Sequence, residues 1–325
     1  MSDIKATIFI PTYNGEPYLA EIIEQIFAQD VDFEFELLII DSGSTDRTLE
    51  IIHSYEGAHK NLRLVEIPNE EFGHGKTRNL AAQLAAGEFI VYLSHDAVPS
   101  HDKWLYEMLK PFELNEKIVG VMGKQIPRRL CPPMLRYEIS AVFSGFGPDF
   151  GTTLFYKDAF IKNQATRDAI RFYSDVNSAT KTKFIREVIP YRDVKYAEDQ
   201  MFGEDVIDAG YLKAYSPRGS VIHSNDLRVR EYALRMFDEI MGMRRIGVPV
   251  EELAPHTSIR LLVRGMVGDS LRIMLDRGYS FKRKVYWLVV NPLFRIQKYR
   301  GIRRAIRADI TVENAHHSLE ATRKK

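Results

Sequence analysis

The sequence predicts an α/β fold, a mostly parallel sheet flanked by helices, with a C-terminal helical extension. Three observations predict it. Strand and helix patterns alternate through the first hundred residues. Three polar clusters, at 11–15, 41–46 and 94–96, fall where strands end. After residue 225 the strand pattern gives way to long helical periodicity with a surplus of cations.

Residues 4–10 are a short β-branched strand ending at Pro11. Residues 18–28 put Leu19, Ile22, Ile23 and Ile26 on one helical face. Residues 35–40 form a second buried strand, closed by a Ser-Gly turn, and 45–55 a helix with Thr45 as its N-cap. Residues 62–67 are a third strand; 76–86 are helical, with Gly87 as C-cap. Residues 89–93 are a fourth strand, closed by Ser94, His95 and Asp96. In such sheets ligands bind beyond the carboxyl ends of the strands. Residues 143–157, rich in Gly and Phe, read as a loop able to cover a site. Residues 200–209 are helical, and 211–215 and 220–223 short strands. Helices follow at 228–246, 256–277 and 281–308, the second with Ile259, Leu262, Met266 and Ile273 on one side.

Composition sets the outer bounds. The chain has 325 residues, 45% hydrophobic and 27% charged, which excludes disorder and fibrous repeats as the main architecture. A single cysteine, Cys131, excludes an intrachain disulfide and a cysteine-based zinc site. The first apolar stretch is too short for a signal-peptide core, and no run of about 18 apolar residues occurs, so neither a leader nor a membrane span is expected. Residues 1–225 carry a net charge of −9 and residues 226–325 one of +10, an acidic body and a basic tail.

Several clusters carry chemistry, each beside a plainer alternative. Asp41 can accept hydrogen bonds from a base or ribose, or simply cap its turn. Gly73-His74-Gly75-Lys76-Thr77 hints at a phosphate loop, but Glu70 stands where that loop needs glycine, which excludes an NTPase. Gly75 and the helix start remain a place for nucleotide contact. Asp96, at a strand's carboxyl end, is placed to hold a divalent cation or to form a turn. Glu198 and Asp199 precede a helix and are acids or caps. His223 is a second ligand or a core histidine.

Together PTYNG at 11–15, DSGSTD at 41–46, HGKTRN at 74–79, SHDA at 94–97 and AEDQ at 197–200 resemble the family-2-type inverting nucleotide-sugar glycosyltransferases over about residues 4–225. FGHGKTRNLA, SHDAVP and the SDVNSA–YAEDQ stretch resemble more narrowly the bacterial rhamnosyltransferases of cell-surface polysaccharide synthesis. The resemblance implies a GT-A fold, a Rossmann-like sandwich, with a catalytic domain at 1–225 and a basic helical region at 226–325. It implies that Pro11, Tyr13, Asn14 and Asp41 line a nucleoside pocket, that Arg78 and Asn79 border the nucleotide, and that His95 joins the nucleotide-sugar contacts. Asp96 matches the last acid of the family's DxD metal motif and Asp199 its catalytic base. Ser94 replaces the first DxD acid, which leaves room for His223 as second ligand to a divalent Mg or Mn ion. The implied reaction moves a sugar, L-rhamnose from dTDP-β-L-rhamnose, to a hydroxyl of a saccharide or lipid-linked saccharide.

In that chemistry Asp199 takes the acceptor's proton and the cation on Asp96 neutralises the leaving diphosphate. The 143–157 loop serves as a lid, its Phe143, Phe146 and Phe150 stacking on sugar or packing as core. Two other readings stand beside it. A sugar-nucleotide nucleotidyltransferase needs a basic Gly-rich loop where Pro11–Gly15 stand. A non-catalytic carbohydrate-binding module has no need of Asp96 and Asp199. Residues 281–310 interleave cations with Trp287, Phe294, Ile296, Tyr299, Ile302 and Ile306, as in a helix lying on an anionic membrane surface. Packing on the catalytic domain or on another subunit of a homo-oligomer is the alternative. No nucleic-acid module accompanies the charge. The implied location is cytoplasmic, peripheral on the inner face of the cell membrane.

Overall fold

The structure, a computed structural model, describes residues 4–312 and 318–319, apart from 159, 161, 162, 226, 246, 248, 249, 251, 253 and the side chain of Ala165. The predicted boundary residue 226 and helix end 246 lie outside the described residues. The chain divides into two compact units, residues 1–127 with 139–223, and residues 128–138 with 224–325.

The first unit runs β1 (Ile4–Thr12), α1 (Glu16–Phe27), β2 (Glu34–Asp41), α2 (Thr48–Glu56), β3 (Leu62–Glu66), α3 (His74–Leu84), β4 (Phe89–Leu93), β5 (Val98–Pro99), α4 (Trp104–Leu109) and β6 (Ile118–Ile126). After α5 (Pro133–Gly145), whose first residues belong to the second unit, come β7 (Thr153–Phe155), α6 (Gln164–Arg171), β8 (Asn177–Lys181), α7 (Thr182–Glu187), α8 (Glu198–Asp208) and β9 (Leu212–Ile222). Among the described residues nine strands form one sheet in the order β3-β2-β1-β4-β8-β6-β9-β5, with β7 also on β9. β1 to β4 are mutually parallel, as predicted. β8 enters antiparallel between β4 and β6, and β6 and β9 are parallel. The carboxyl ends of β1, β2, β4, β6 and β9 therefore open on one edge.

Alternation along each strand feeds two cores. Ile8, Ile10, Leu37 and Ile39 pack on one face with residues of α1, α2 and α4, including the fully buried Trp104. Phe9, Leu38, Ile40 and Tyr92 pack on the other with residues of α3, α7 and α8. Each such side chain contributes about 1.5–3 kcal/mol by leaving water.

Several boundaries differ from prediction. Helix α2 begins at Thr48 because the Asp46 carboxylate accepts from Thr48 N and Oγ1, displacing Thr45 as the cap. Gly87 does not cap α3, which ends at Leu84. It lies where a Cβ would come within 2.5 Å of the Ala6–Thr7 peptide, so only glycine allows β1 so close. The predicted strands 211–215 and 220–223 are one strand, β9. Residues 143–157 are not a single loop: α5 reaches Gly145 and β7 occupies Thr153–Phe155. Phe143 and Phe146 are buried against Phe172 and Tyr215, while Phe150 is 81% exposed.

The second unit contains α9 (Val229–Arg245), α10 (Pro255–Leu275) and α11 (Phe281–Arg307). Residues 128–138, predicted within the first domain, pack here. Met134 is buried with Tyr232, Met236 and Phe294, and its N–H donates to Asn291 Oδ1 at 2.8 Å. Helices α9 and α11 approach closely at Gly301, where a Cβ would meet Ala233 O at 2.4 Å. Arg295 bridges buried Asp269 and Glu138, and Lys298 pairs with Glu138. The apolar residues of 281–310 predicted to face a membrane are largely turned inward. Phe294 is buried, and Trp287 and Ile302 pack against the same cluster. No helix of the described residues is long and apolar enough to cross a membrane.

Candidate active site

Two loops at the shared edge are knitted together by Asp41. Its carboxylate is fully buried. It accepts from Thr12 Oγ1 (3.0 Å), Gly43 N (3.0 Å), Ser44 N (2.9 Å) and Ser44 Oγ. Charge-assisted bonds of this kind contribute about 1.5–3 kcal/mol each. Asn14 adopts a left-handed φ of 54°, which Asn tolerates better than most residues. Its Oδ1 accepts from Thr45 N at 2.8 Å, and its own N–H donates to Ser44 Oγ. His95 joins the group, its Nδ1 3.3 Å from Pro11 O and its ring beside Gly15. Pro11, Tyr13 and His95 are each partly exposed around the loops that Asn14 and Asp41 hold. Asp41 thus acts from behind the surface, with no oxygen facing solvent.

A second group gathers on β4, β6 and β9. His223 Nε2 lies 3.4 Å from Asp96 Oδ2. The other ring nitrogen, Nδ1, is 3.0 Å from Gln125 Oε1, and Gln125 Nε2 donates to Ser174 Oγ. That amide orientation makes Oε1 the acceptor, so Nδ1 carries the proton. Nε2 is the nitrogen left facing the Asp96 carboxylate, where it can serve as a ligand beside it. This donor set fits a divalent cation: the spacing suits two ligands of one ion, and a carbonyl on the remote imidazole nitrogen is the usual outer support of a metal-binding histidine. Among the described residues there is no cluster of three His, Cys, Asp or Glu for an all-protein site. Magnesium needs none, since it commonly takes one or two carboxylates plus phosphate and water.

The third group surrounds Arg78, on α3. Its guanidinium pairs with Asp175 (Nε–Oδ2 2.8 Å) and with Glu198 through Nη1, and stacks near Tyr191. Asp175 also accepts from Tyr191 OH and Ser178 Oγ. Asp199, one residue beyond Glu198, accepts from Asp175 N (3.3 Å) and Gln200 N (2.8 Å). Two of the three carboxylates thus share one guanidinium, and Asp199 makes no direct ion pair with it. Burial, with Glu198 and Asp175 adding repulsion, pushes the Asp199 carboxyl up to about 7, and Arg78 offsets only part of this. Immediately before the pair, Ala197 holds a left-handed φ of 60°, a strained conformation for alanine. The second and third groups are tied by the backbone bond Ser94 N to Val176 O.

Arg78 and Asn79, predicted at the nucleotide border, are committed elsewhere. Arg78 serves the carboxylates. Asn79 donates to Tyr191 O and accepts from Tyr191 N, bracing α3 against that loop. Gly75 is buried where a Cβ would lie 2.1 Å from Arg192 O, so it meets backbone rather than an open pocket. Gln125 and Asp175 were not predicted as site residues. Asp175 lies in the turn before β8, inside the SDVNSA stretch, and Gln125 lies inside a strand with nothing local to mark it.

The family described as glycosyl transferase family 2 matches residues 7–189. The chain is 30% identical over 235 residues to the O-antigen chain rhamnosyltransferase WbaN of Salmonella anatum, covering 71% of this chain and 70% of that one. It is 27% identical over 241 residues to the O-antigen chain rhamnosyltransferase RfbN of Salmonella typhimurium, covering 72% and 71%. Among solved structures, the mannosyltransferase PcManGT from Pyrobaculum calidifontis in complex with GDP-Man and Mn2+ superposes with a TM-score of 0.57 at 16% identity, over 94% of this chain and 88% of that one. S. aureus TarS 1–349 gives 0.52 at 17% identity, over 93% and 90%. These structural likenesses establish the GT-A fold.

Proposed function

The chain belongs to glycosyl transferase family 2, and we propose that it is an inverting sugar transferase of surface polysaccharide synthesis, with L-rhamnose from dTDP-β-L-rhamnose as the transferred sugar. The two rhamnosyltransferase relatives support the donor. The acceptor is a hydroxyl of a saccharide or lipid-linked saccharide.

The observation that carries the reaction is Asp199, partly exposed and with a proton affinity raised to about 7. In the transfer the acceptor oxygen forms a bond to the anomeric carbon as the bond to the nucleoside diphosphate breaks. Configuration inverts, and the acceptor proton goes to an Asp199 oxygen. A base that releases and takes protons near neutral pH suits that step. Arg78 pairs directly with Glu198 and Asp175 and offsets only part of the burial and repulsion that raise Asp199, so Asp199 stays basic without being neutralised. Pro11, Tyr13 and His95 form the nucleoside wall, ordered from behind by Asn14 and Asp41. Asp96 and His223 would hold a divalent cation, whose charge offsets that developing on the leaving diphosphate.

Incubation with a panel of nucleotide sugars and saccharide acceptors tests this reading. Release of dTDP from dTDP-β-L-rhamnose, dependent on acceptor, is the expected result. Turnover of another donor alone would move the donor assignment, and no turnover of any donor would remove the reaction.

A further inference from the structure

The second unit carries an apolar surface that its own core does not use. On α10, Val263, Val267, Leu271 and Met274 recur at helical spacing on one stripe, each more than half exposed, Val267 at 54%. On α11, Phe281, Val285 and Val289 recur every fourth residue, Phe281 81% and Val289 68% exposed. The buried residues of these helices, Asp269 and Ile273 on α10 and Asn291 and Phe294 on α11, occupy other turns of the wheel. Soluble surfaces seldom leave so many large apolar side chains open on adjoining helices without a partner.

Charge selects the partner. Residues 255–308 contain thirteen Lys or Arg and two acids, Asp269 and Asp276. Asp269 is buried and paired with Arg295, Glu138 pairs with Arg295 and Lys298, and Glu252 pairs with Arg303 and Arg307, so the remaining cations, Arg300 and Arg304 among them, are what the segment presents outward. Toward its C-terminus α11 lines a groove of about 460 Å³ with Tyr299, Arg300, Arg303, Arg304 and Arg307. Two copies of such a surface would oppose cation to cation. An anionic bilayer answers both features, acyl chains for the stripe and phosphate headgroups for the arginines. We infer that the α10–α11 surface docks this protein on an anionic phospholipid bilayer, the apolar stripes of α10 and the first half of α11 meeting acyl chains and Arg300 and Arg304 in the last turns of α11 meeting headgroups, rather than through the Trp287–Ile302 face, which is core.

The test is co-sedimentation of the full chain with phosphatidylcholine vesicles and with vesicles that also contain phosphatidylglycerol. Binding to the second kind only, falling as salt is added, is expected. The pair Val267→Ser with Val289→Ser is expected to lower partitioning more than about tenfold at every salt concentration. The pair Arg300→Gln with Arg304→Gln is expected to lower it about fivefold per charge and to flatten the salt dependence. Circular dichroism melts should match the parent, as all four residues lie outside the buried core. Failure of the parent to pellet with anionic vesicles at low salt overturns the assignment, as does parent-like binding by both variants. A dimer in sedimentation that Val267→Ser with Val289→Ser dissolves would assign the surface to a second copy instead. Vesicle binding by a chain that transfers no sugar would sink the reaction and leave the surface assignment standing.

Discussion

Asp41 and Asp199 sit at the same edge of the sheet, one closing β2 and the other opening α8, yet their surroundings are opposite. Asp41 is enclosed by four donors from its own and the adjoining loop. Asp199 accepts only two backbone N–H bonds and lies beside two other carboxylates that claim Arg78 first. A carboxylate whose charge is fully answered holds structure. One whose charge is under-answered keeps an appetite for a proton, and that is the property a general base requires.

The largest effect that could break this contrast is on Asp199→Asn. The amide keeps the shape and cannot take the acceptor's proton, so transfer should fall by about 10²–10⁴-fold while donor affinity stays near the parent's. In the parent, transfer should rise with pH to a plateau above about 7, as the carboxyl that burial and its neighbours push to about 7 gives up its proton. The stability linkage has the matching sign. The raised folded value means that ionising Asp199 costs stability as pH climbs from its ordinary range toward about 7, a cost absent in acid. Asp199→Asn should therefore melt no lower than the parent at pH 8 and gain on it relative to pH 5. Normal transfer by this variant would put Glu198 forward as the base.

Next in size is Gln125→Leu. Without the carbonyl on Nδ1, His223 is free to place its proton on Nε2, facing Asp96. Binding of Mn2+ followed by titration calorimetry should weaken about 10–100-fold, with the melting temperature measured alongside. Mn2+ affinity equal to the parent's would return His223 to a packing role.

Asp41→Asn sharpens the contrast from the other side. Losing the charge behind its hydrogen bonds should cost about 1–3 kcal/mol of stability, read by denaturant unfolding, with less than about tenfold change in transfer by the folded fraction. A variant that melts like the parent but transfers as poorly as Asp199→Asn would erase the distinction between the two aspartates.

The smallest effect concerns Ala197, where the left-handed backbone before Glu198 stores strain. Ala197→Gly should raise stability by about 1 kcal/mol, the relief of strain outweighing the chain entropy that glycine adds. A lower melting temperature would show that the Ala197 methyl packs more favourably than its backbone suffers.

Much of the first unit was legible from pattern. Ile8, Ile10, Leu37 and Ile39 announce one core face by their spacing, and Phe9, Leu38 and Ile40 the other. Gly87 has the look of a cap and Gly75 of a place for nucleotide contact, and both are close approaches of distant backbone. The amphipathic pattern of residues 281–310 was correct as a pattern. Its apolar side faces Met134 and Tyr232 inside the unit, and the open stripe lies on turns that the pattern did not single out.

Period, turn chemistry and charge are local properties, so the sequence by itself determined the alternating α/β order, the edge at which polar loops collect, the basic C-terminal region and the acids at 96 and 199. What answers each charge was decided only in three dimensions. Arg78 meets Asp175 and Glu198, and Gln125 meets His223, across about a hundred residues of chain. Such pairs leave no periodicity, because they form only when β4, β8, β6 and β9 close into one sheet and bring those side chains within hydrogen-bonding reach. The difference between a carboxylate that braces a loop and one that holds a proton near neutral pH lies in that enclosure, where burial strengthens every unpaired charge.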